Sequence, residues 1–373
     1  MNIGFDAKRA FQNRTGLGNY SRTLIRSLGE YYPQNNYFLF APKEKPLFQP
    51  VSGMQTILPQ KPHHRWLKSV WRSRWVIQDL IDKEIDLYHG LSAELPFGIS
   101  NSGVQSVVTM HDLIFERYPE QYNPIDVYTY RKKAQYACRR ADKVIAISEQ
   151  TKQDLIQYYH TPENKIRVCY QSCDPSFEQA CTTEQINHML AAYQLPSTYF
   201  LYVGSVIERK NLLGIVKAMR LLKGKLDLPL VVLGDGGKYK EEVKAFLHKE
   251  GMDKQLIWLN EVVKFSFKDL PALYQGATAL IYPSIFEGFG IPILEALWSR
   301  TPVITSNVSC FRETGGDAAL YIDPYLPASL AEGMERVAID RTFAAGMEER
   351  GIKHAQQFTL DKCAAAVMAV YQS

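Results

Sequence analysis

The sequence of 373 residues predicts an α/β fold with two doubly wound domains, each a parallel sheet covered by helices on both faces. Three observations lead to this prediction. Short apolar runs alternate with stretches of helical periodicity along the chain. The alternation occurs as two successive series, each long enough for a domain with its own core. Glycine and charged residues follow several of the predicted strands, where ligands bind in open parallel sheets.

The first series occupies the N-terminal half of the chain. Its apolar runs have the length of buried strands, and apolar residues recur at helical spacing between several of them. The predicted strands are Ile3–Phe5, Tyr37–Phe40, Leu87–Tyr88, Ser106–Thr109 and Lys143–Ile147, and the predicted helices include Gly18–Leu28 and Pro124–Arg140. These elements predict one parallel sheet.

The second series repeats this alternation after residues 175–197, where proline and polar residues interrupt the periodicity. We therefore place the junction between the two domains in that stretch. The predicted strands are Phe200–Val203, Leu230–Leu233, Leu256–Leu259, Ala279–Tyr282 and Pro302–Thr305, and the predicted helices lie near Leu212–Leu222, Tyr239–Glu250, Leu270–Gly276 and Ile291–Ser299.

Composition indicates a soluble globular protein, with 46% hydrophobic and 22% charged residues. No apolar run reaches the roughly 18 residues of a membrane-spanning helix, and the N-terminus reads as a strand instead of a signal peptide. The six cysteines show no spacing suited to zinc, which favours reduced thiols and a cytoplasmic location. The net charge of +4 is too small to indicate a nucleic-acid partner.

Much of the positive charge lies in residues 61–76, where basic residues surround Trp66, Leu67, Val70 and Trp71. On one continuous helix these four apolar residues would share a face. Two interpretations stay open. The helix packs this face into the core, or it makes a peripheral contact with the anionic inner face of the cytoplasmic membrane or with a lipid-linked molecule.

Residues 279–296 are the most informative stretch. A predicted strand runs into a glycine-containing turn and then into a helix with Pro292 in its first turn. The N-terminus of such a helix attracts an anion. Glu287 and Glu295 would repel a bare phosphate, but carboxylates accept hydrogen bonds from sugar hydroxyls. A phosphate flanked by two polyols, as in a nucleotide sugar, suits both the helix N-terminus and the two carboxylates. The alternative is a helix start with an acidic bias.

Glu287 and Glu295 have seven residues between them and resemble the EX7E motif of retaining GT-B glycosyltransferases, particularly glycosyltransferase family 4 (group 1). The resemblance implies that Glu287 contacts the donor sugar and that Glu295 contacts the ribose. It also implies that backbone amides in the turn face the sugar and the diphosphate. The donor-binding residues predicted in this stretch are Ser284, Gly288, Phe289, Gly290, Ile291 and Glu295.

The same resemblance covers nearly the whole chain and implies the GT-B fold, in which two Rossmann-like domains face a central cleft. The expected domains are residues 1–182 on the acceptor side and residues 183–357 for the nucleotide sugar. Residues 358–373 are expected to form a last helix that crosses back onto the N-terminal domain, as in other GT-B proteins.

A second charged turn follows the predicted strand at residues 200–203. Gly204 ends the strand, and Arg209 and Lys210 lie where a helix begins. Cations at this place can neutralise a diphosphate, and an arginine can bind two of its oxygens. The segment matches the family pattern G-x-x-x-x-R-K-N, which implies that Arg209 and Lys210 are catalytic residues that hold the diphosphate. Because the chain has no D-x-D triad, we expect no metal cofactor.

Two loops of the N-terminal half also follow predicted strands. Gly16 and Gly18 open a helix, but Ser21 replaces the third glycine of a dinucleotide fingerprint. The family resemblance places this loop near the donor diphosphate and the acceptor, with Asn19 and Tyr20 on the acceptor side. It also places His111 near the reactive end of the donor sugar, with Asp112 beside it on the acceptor side. A buried structural histidine is the alternative at position 111.

Residues 233–237 and 260–262 follow two further strands of the second series. The first segment resembles a G-x-G segment of the family, and the family has nucleobase contacts near the second. Asn260 stands where the family often has glycine, which weakens any inference about the base. Structural turns are an equally good interpretation of both segments.

These observations predict a retaining hexosyltransferase that needs no metal. The opening residues resemble bacterial mannosyl- and rhamnosyltransferases of surface polysaccharide synthesis. We therefore expect GDP-mannose as donor, with a UDP-hexose as the second choice, and a glycan or lipid-linked glycan as acceptor. The alternative is a GT-B protein that binds a nucleotide sugar without turnover. A hydrolase is disfavoured because the chain has no G-x-S-x-G motif.

Overall fold

The computed structural model describes residues 1–262 and 264–373 and divides them into two compact units. The first unit comprises Met1–Ser172 and Phe358–Ser373, and the second comprises Cys173–Gln357. The structure thus divides the chain somewhat before the expected boundary at residue 182. Residues just before that point belong to the second unit because the Cys181 amide donates to Gln275 Oε1 over 2.8 Å.

The first unit contains a seven-stranded parallel sheet with the strand order β3-β2-β1-β4-β5-β6-β7. The three central strands are buried along most of their length, as expected for strands covered on both faces. The strands are β1 (Asn2–Asp6), β2 (Asn36–Phe40), β3 (Met54–Ile57), β4 (Leu87–Gly90), β5 (Gln105–Met110), β6 (Lys143–Ala146) and β7 (Ile166–Val168).

Helices cover both faces of this sheet and bury two apolar clusters against it. The C-terminal helix joins one cluster through Ala364, Val367 and Tyr371. The α-helices of the unit are Lys8–Gln12, Gly16–Tyr31, Pro62–Trp66, Lys68–Val70, Val76–Asp82, Ile114–Arg117, Pro124–Arg140, Glu149–Tyr159 and Leu360–Tyr371, with a π-helical turn at Trp71–Trp75.

The second unit contains a six-stranded parallel sheet with the strand order β10-β9-β8-β11-β12-β13. Its strands are β8 (Phe200–Val203), β9 (Leu230–Leu233), β10 (Leu256–Trp258), β11 (Ala279–Tyr282), β12 (Val303–Ser306) and β13 (Leu320–Ile322). Its α-helices are Thr183–Ala192, Leu212–Leu222, Lys238–Lys249, Leu259–Val262, Leu270–Gln275, Ile291–Trp298, Phe311–Gly315, Pro327–Ile339 and Arg341–Ala355. The prediction of two doubly wound parallel sheets is confirmed.

Residues 61–76 do not form the single helix that the sequence suggested. The helix Pro62–Trp66 ends at Leu67, where ψ is 54°, and a new helical piece begins, so that Trp71 is fully buried while Trp66 is 90% exposed. The Trp71 ring packs into an apolar cluster of the first unit, and its indole N–H is satisfied by a hydrogen bond to Asp79. The prediction that Trp66 and Trp71 share a face is therefore wrong, and only Trp66, Leu67 and Val70 remain exposed.

Within residues 1–262 and 264–373, no helix has both the length and the apolar character needed to cross a bilayer.

Candidate functional site

Two loops of the second unit meet where the central strands β8 and β11 end. These strands are neighbours and parallel, so their carboxyl ends lie at one edge of the sheet. The Ile285 amide donates to the Arg209 carbonyl over 2.8 Å and joins the two loops directly. The charged turn after β8 and the glycine-containing turn after β11 therefore form one site, as their sequence positions suggested.

Glu287 lies between the two cations of this site. Its Oε1 atom is 2.8 Å from Arg209 Nη1 and 2.9 Å from Lys210 Nζ. Burial alone would raise the pKa of Glu287, but the charges of Lys210 and Arg209 outweigh burial and lower the pKa below its ordinary value. Glu287 is thus held as an ionised carboxylate, able to accept hydrogen bonds from a polyol.

Gly204 and Tyr282 set the position of Lys210. Gly204 has a φ of +142°, and a Cβ added there would lie 3.2 Å from Lys210 Nζ. The lysine therefore folds back across the glycine, where a larger residue would displace it. Its ammonium donates to Tyr282 Oη over 2.8 Å. Arg209 is held differently, because it is buried and its guanidinium donates to the Phe286 carbonyl.

Side chains that follow β12 form hydrogen bonds with the turn that carries Glu287. Ser309 Oγ donates to the Glu287 carbonyl over 3.0 Å, and the Cys310 thiol donates to the same carbonyl over 3.2 Å. Further along, the Thr314 hydroxyl donates to the Phe289 carbonyl. These side chains fix the backbone of the turn at several points, so the position of Glu287 depends on residues that are distant in sequence.

The helix Ile291–Trp298 begins at this turn. Gly290 precedes it with a φ of +93°, and Pro292 lies in its first turn. The first N–H groups of a helix have no partner within the helix, so they can bind an anion beside Arg209 and Lys210. Ser284 lies in the preceding loop, and its buried hydroxyl has no hydrogen-bond partner among residues 1–262 and 264–373. A ligand hydroxyl or phosphate oxygen could satisfy it.

Glu295 lies one turn further along this helix. It accepts a hydrogen bond from Tyr274 Oη over 2.7 Å. Burial raises the pKa of Glu295 to about 7, although the Tyr274 bond acts to lower it. The two carboxylates of the motif therefore differ: Glu287 is paired with two cations, whereas Glu295 titrates near neutral pH.

We expect Glu295→Gln to weaken nucleotide binding and to flatten the dependence of stability on pH. The pKa of Glu295 is raised from 4.5 to about 7 in the folded protein. Between these values the folded state binds more protons than the unfolded chain, so the stability of the wild type falls as pH rises through that window. Glutamine does not ionise, and its carbonyl can still accept the Tyr274 bond.

Thermal melts of both proteins between about pH 5 and pH 8, with nucleotide titrations at each pH, check this expectation. A large loss of stability with normal nucleotide affinity would show that Glu295 has only a structural role.

The glycines after β9 have a structural explanation. A Cβ at Gly234 would lie 1.9 Å from the Gly204 carbonyl oxygen, and one at Gly236 would lie 2.1 Å from the Val206 carbonyl oxygen. Both glycines are thus required for the close approach of this loop to the loop after β8. Asn260 Nδ2 donates to the Gly234 carbonyl over 3.2 Å, so the segment at residues 260–262 is hydrogen-bonded to the loop after β9.

In the first unit, His111 follows directly after β5. Its Nε2 lies 2.9 Å from the Leu91 carbonyl oxygen, which can only accept, so Nε2 carries the proton. Burial lowers the pKa of His111 to about 4 and keeps the ring neutral. Nδ1 is then an acceptor, suited to a hydroxyl group. Arg9 also acts electrostatically on His111.

His89 is a buried residue of this region that the sequence analysis missed. Its ring nitrogens lie 2.6 Å from Tyr371 Oη and 2.8 Å from Thr109 Oγ1. Thr109 Oγ1 is in turn 3.0 Å from Tyr20 Oη, and the Tyr20 ring packs edge-on against His111. The network connects the C-terminal helix to His111. Its only sequence signal was a polar residue near the end of a predicted strand.

The other predicted residues of the first unit have structural contacts of their own. Tyr20 is buried, Asn19 accepts from the Arg22 guanidinium, and Asp112 Oδ1 accepts from the Ile114 amide over 3.0 Å. A Cβ at Gly18 would lie 1.9 Å from the Asn13 carbonyl oxygen, whereas one at Gly16 would meet no atom within 4 Å. Their predicted ligand contacts stay predictions.

The part of the chain that the structure describes contains no group of three or more His, Cys, Asp or Glu side chains arranged to hold a metal ion.

Two family models match the chain. Residues 15–177 match the model described as Glycosyltransferase Family 4, and residues 192–354 match the model described as Glycosyl transferases group 1. The first match lies mostly in the first unit, extends a few residues past Ser172 into the second, and contains His111. The second lies in the second unit and contains Arg209, Lys210 and both glutamates.

Two of the similar proteins are O-antigen chain mannosyltransferases of bacteria. The chain is 29% identical over 305 residues to the O-antigen chain mannosyltransferase B of Escherichia coli, which covers 81% of this chain and 77% of the relative. It is 32% identical over 218 residues to the O-antigen chain mannosyltransferase RfbU of Salmonella typhimurium. This alignment covers 58% of this chain and 56% of the relative.

The fold is similar to that of a solved Anabaena protein. The crystal structure of Alr3699/HepE in complex with UDP and glucose superposes with a TM-score of 0.76 and 16% identity, covering 100% of this chain and 99% of the other.

Proposed function

Because the chain belongs to the family 4 and group 1 glycosyltransferases, we propose that it transfers a hexose from a nucleotide sugar to a glycan or lipid-linked glycan. The observation that carries the proposal is the ionised Glu287 beside Arg209 and Lys210 at the start of a helix. Cations and a helix N-terminus suit a diphosphate, and the carboxylate suits sugar hydroxyls. Mannose is our first choice because an O-antigen mannosyltransferase is among the relatives.

The donor is proposed to be GDP-mannose. The second choice is a UDP-hexose, in keeping with the UDP bound to the similar Anabaena protein. Thermal-shift measurements with GDP, UDP, ADP and dTDP sugars distinguish these donors, because a ligand that binds the folded state raises its stability. Stabilisation by GDP-mannose without release of GDP in the presence of glycan acceptors would instead favour a binding protein without turnover.

The reaction is proposed to proceed on one face of the sugar without a metal. The bond from the anomeric carbon to the diphosphate breaks, and the acceptor oxygen bonds to that carbon on the same face. The leaving diphosphate, stabilised by Lys210 and Arg209, takes the proton of the acceptor hydroxyl. We further propose that Glu295 binds the ribose. His111 is proposed to lie near the reactive end of the donor sugar, where its neutral Nδ1 can accept a hydrogen bond.

The product is expected to retain the anomeric configuration of the donor, so that an α-linked donor yields an α-glycoside. Proton NMR of the new linkage measures this directly, and a β-glycoside would overturn the proposed course. Turnover should also continue in EDTA. Loss of activity in EDTA that added magnesium restores would show that the enzyme requires a metal.

Residues 61–76 are proposed to touch an anionic membrane surface. Trp66, Leu67 and Val70 are exposed, and the basic residues Arg65 and Lys68 lie beside them. An exposed tryptophan with flanking cations suits the interface of an anionic bilayer.

We expect the protein to sediment with phosphatidylglycerol vesicles at low salt but not with phosphatidylcholine vesicles. The change Trp66→Ala should reduce the bound fraction several-fold, whereas Phe267→Ala, which removes another exposed aromatic ring, should not. Equal sedimentation of Trp66→Ala and wild type would exclude this surface.

A further inference from the structure

Four polar side chains form one hydrogen-bonded chain through the interior of the first unit. Tyr371 Oη lies 2.6 Å from His89 Nδ1, and His89 Nε2 lies 2.8 Å from Thr109 Oγ1. Thr109 Oγ1 is also 3.0 Å from Tyr20 Oη. Each of these side chains is at most 8% exposed. The proposed transfer gives no role to His89, Thr109 or Tyr371, although polar groups are costly to bury unless they have partners.

The hydrogen bonds on the two sides of His89 run in the same direction. Burial, with a smaller effect of His111, lowers the pKa of His89 to about 3, so the ring is neutral. A neutral imidazole donates through one nitrogen and accepts through the other. If Tyr371 donates to His89, then His89 donates to Thr109, and otherwise both bonds are reversed. The Tyr371 hydroxyl therefore influences how Thr109 bonds to Tyr20.

The chain reaches His111 through the ring of Tyr20. The two rings meet edge-on, with 4.6 Å between their centroids and 89° between their planes. The bond from His111 Nε2 to the Leu91 carbonyl holds the other side of the imidazole. Because Nε2 lies nearer than Nδ1 to the Cβ–Cγ axis, this bond tolerates small rotations of the ring that move Nδ1 further. The Tyr20 ring opposes such rotations and thereby fixes the direction of Nδ1.

Tyr20 is itself held at both ends of its side chain. Its backbone lies in the helix Gly16–Tyr31, and its hydroxyl is bonded to Thr109 on β5. At the far end of the chain, the Tyr371 ring packs edge-on against His89, with 5.6 Å between centroids. Side chains in direct contact thus connect the C-terminal helix to His111, as energetic coupling between distant residues requires.

We propose that His89 and Tyr371 are positioning residues for His111. Tyr371 orients His89, and His89 orients Thr109. Thr109 then holds Tyr20 against the His111 ring, so that Nδ1 keeps the direction that glycosyl transfer needs. The inference rests on the proposed function, and it makes the C-terminal helix one of the elements that determine the rate.

The test compares Tyr371→Phe and Thr109→Val with Tyr37→Phe. The first change removes the hydroxyl at the end of the chain, and the second removes the hydroxyl in its middle with little change in shape. Tyr37→Phe is the matched control, because Tyr37 is a buried tyrosine of the same apolar cluster as Tyr371. Its hydroxyl donates to the Leu28 and Tyr32 carbonyls instead of to the chain.

The first readout is the release of GDP from GDP-mannose, with methyl α-mannoside as the acceptor. We expect kcat to be about ten-fold lower in Tyr371→Phe and Thr109→Val than in Tyr37→Phe, because a rotated His111 is misplaced for the reaction. The KM for GDP-mannose should change less than about two-fold, since the chain contacts no part of the proposed diphosphate site.

The second readout follows the His111 ring directly and requires no turnover. Protein labelled with nitrogen-15 in histidine gives NMR signals of the ring nitrogens, and His111→Asn identifies those of His111 by their loss. We expect these signals to shift or broaden in Tyr371→Phe and in Thr109→Val. They should keep their positions in Tyr37→Phe, although this variant also loses a buried hydroxyl. If Tyr371→Phe does not fold, Thr109→Val supplies both readouts.

Unchanged His111 signals in Tyr371→Phe would overturn the proposal whatever its rate. A kcat within about two-fold of that of Tyr37→Phe would overturn it as well, because the chain would then only attach the C-terminal helix to the unit. If the wild type releases no GDP, the proposed function fails, and the NMR signals alone decide whether the chain positions His111.

Discussion

The change Lys210→Met should reduce turnover by about two orders of magnitude with little loss of stability. Removing one preorganised group that stabilises transition-state charge costs about 2–4 kcal/mol, and about 1.4 kcal/mol corresponds to a factor of ten. Methionine keeps the apolar stem that folds across Gly204 and removes only the ammonium. Arg209 remains beside Glu287, so the carboxylate keeps one cation.

The measurement is the rate of nucleotide release with saturating donor and acceptor. Lys217→Met, which removes an exposed lysine on the helix Leu212–Leu222, is the control. Turnover of Lys210→Met within three-fold of the control would be incompatible with a role of this ammonium in stabilising the leaving group.

The change Glu287→Gln should abolish most activity and also destabilise the folded protein. Without the carboxylate charge, Arg209 and Lys210 lie close together with no anion between them. Breaking a buried ion pair on one side costs about 3–5 kcal/mol, a value we take as an upper bound because Glu287 keeps some solvent exposure. We therefore expect a clear drop in melting temperature together with the loss of turnover.

The pH dependence of this drop follows from the lowered pKa of Glu287. Its contribution to stability is fully present above the ordinary value of 4.5 and is lost as pH falls through the lower folded pKa. The difference in melting temperature between wild type and Glu287→Gln should therefore shrink below that pH. Glu332→Gln, at an exposed position of the same unit, is the control. A variant with wild-type stability at neutral pH would contradict the ion-pair assignment.

Several strands escaped prediction because they lie at sheet edges. β3, β7 and β13 are each the outermost strand of a sheet and are only partly buried. An edge strand has one neighbour and less cover, so it needs no continuous apolar run. The central strands β1, β5, β8 and β11 are buried along most of their length, and the short runs of apolar and β-branched residues in their sequences predicted them.

The segment at residues 61–76 shows a second limit of sequence patterns. Helical periodicity assumes a continuous helix, but the chain leaves helical geometry at Leu67, where φ is −103° and ψ is 54°, so Trp66 and Trp71 lie on different helical pieces. Asp79, which is partly buried, accepts a hydrogen bond from the Trp71 indole. Which of Trp66 and Trp71 enters the core therefore depends on the break at Leu67 and on the apolar cluster that receives Trp71, and not on the periodicity of the segment.

The amino-acid sequence alone was sufficient to predict the two doubly wound sheets, the family and the charged turns after β8 and β11, because these features depend on local order along the chain. Only the tertiary structure showed that one oxygen of Glu287 contacts both Arg209 and Lys210, and that burial raises the pKa of Glu295 to about 7 against the opposing effect of the Tyr274 bond. A pKa and an ion pair depend on which distant groups surround a side chain and on how much water remains. That arrangement exists only once the chain has folded.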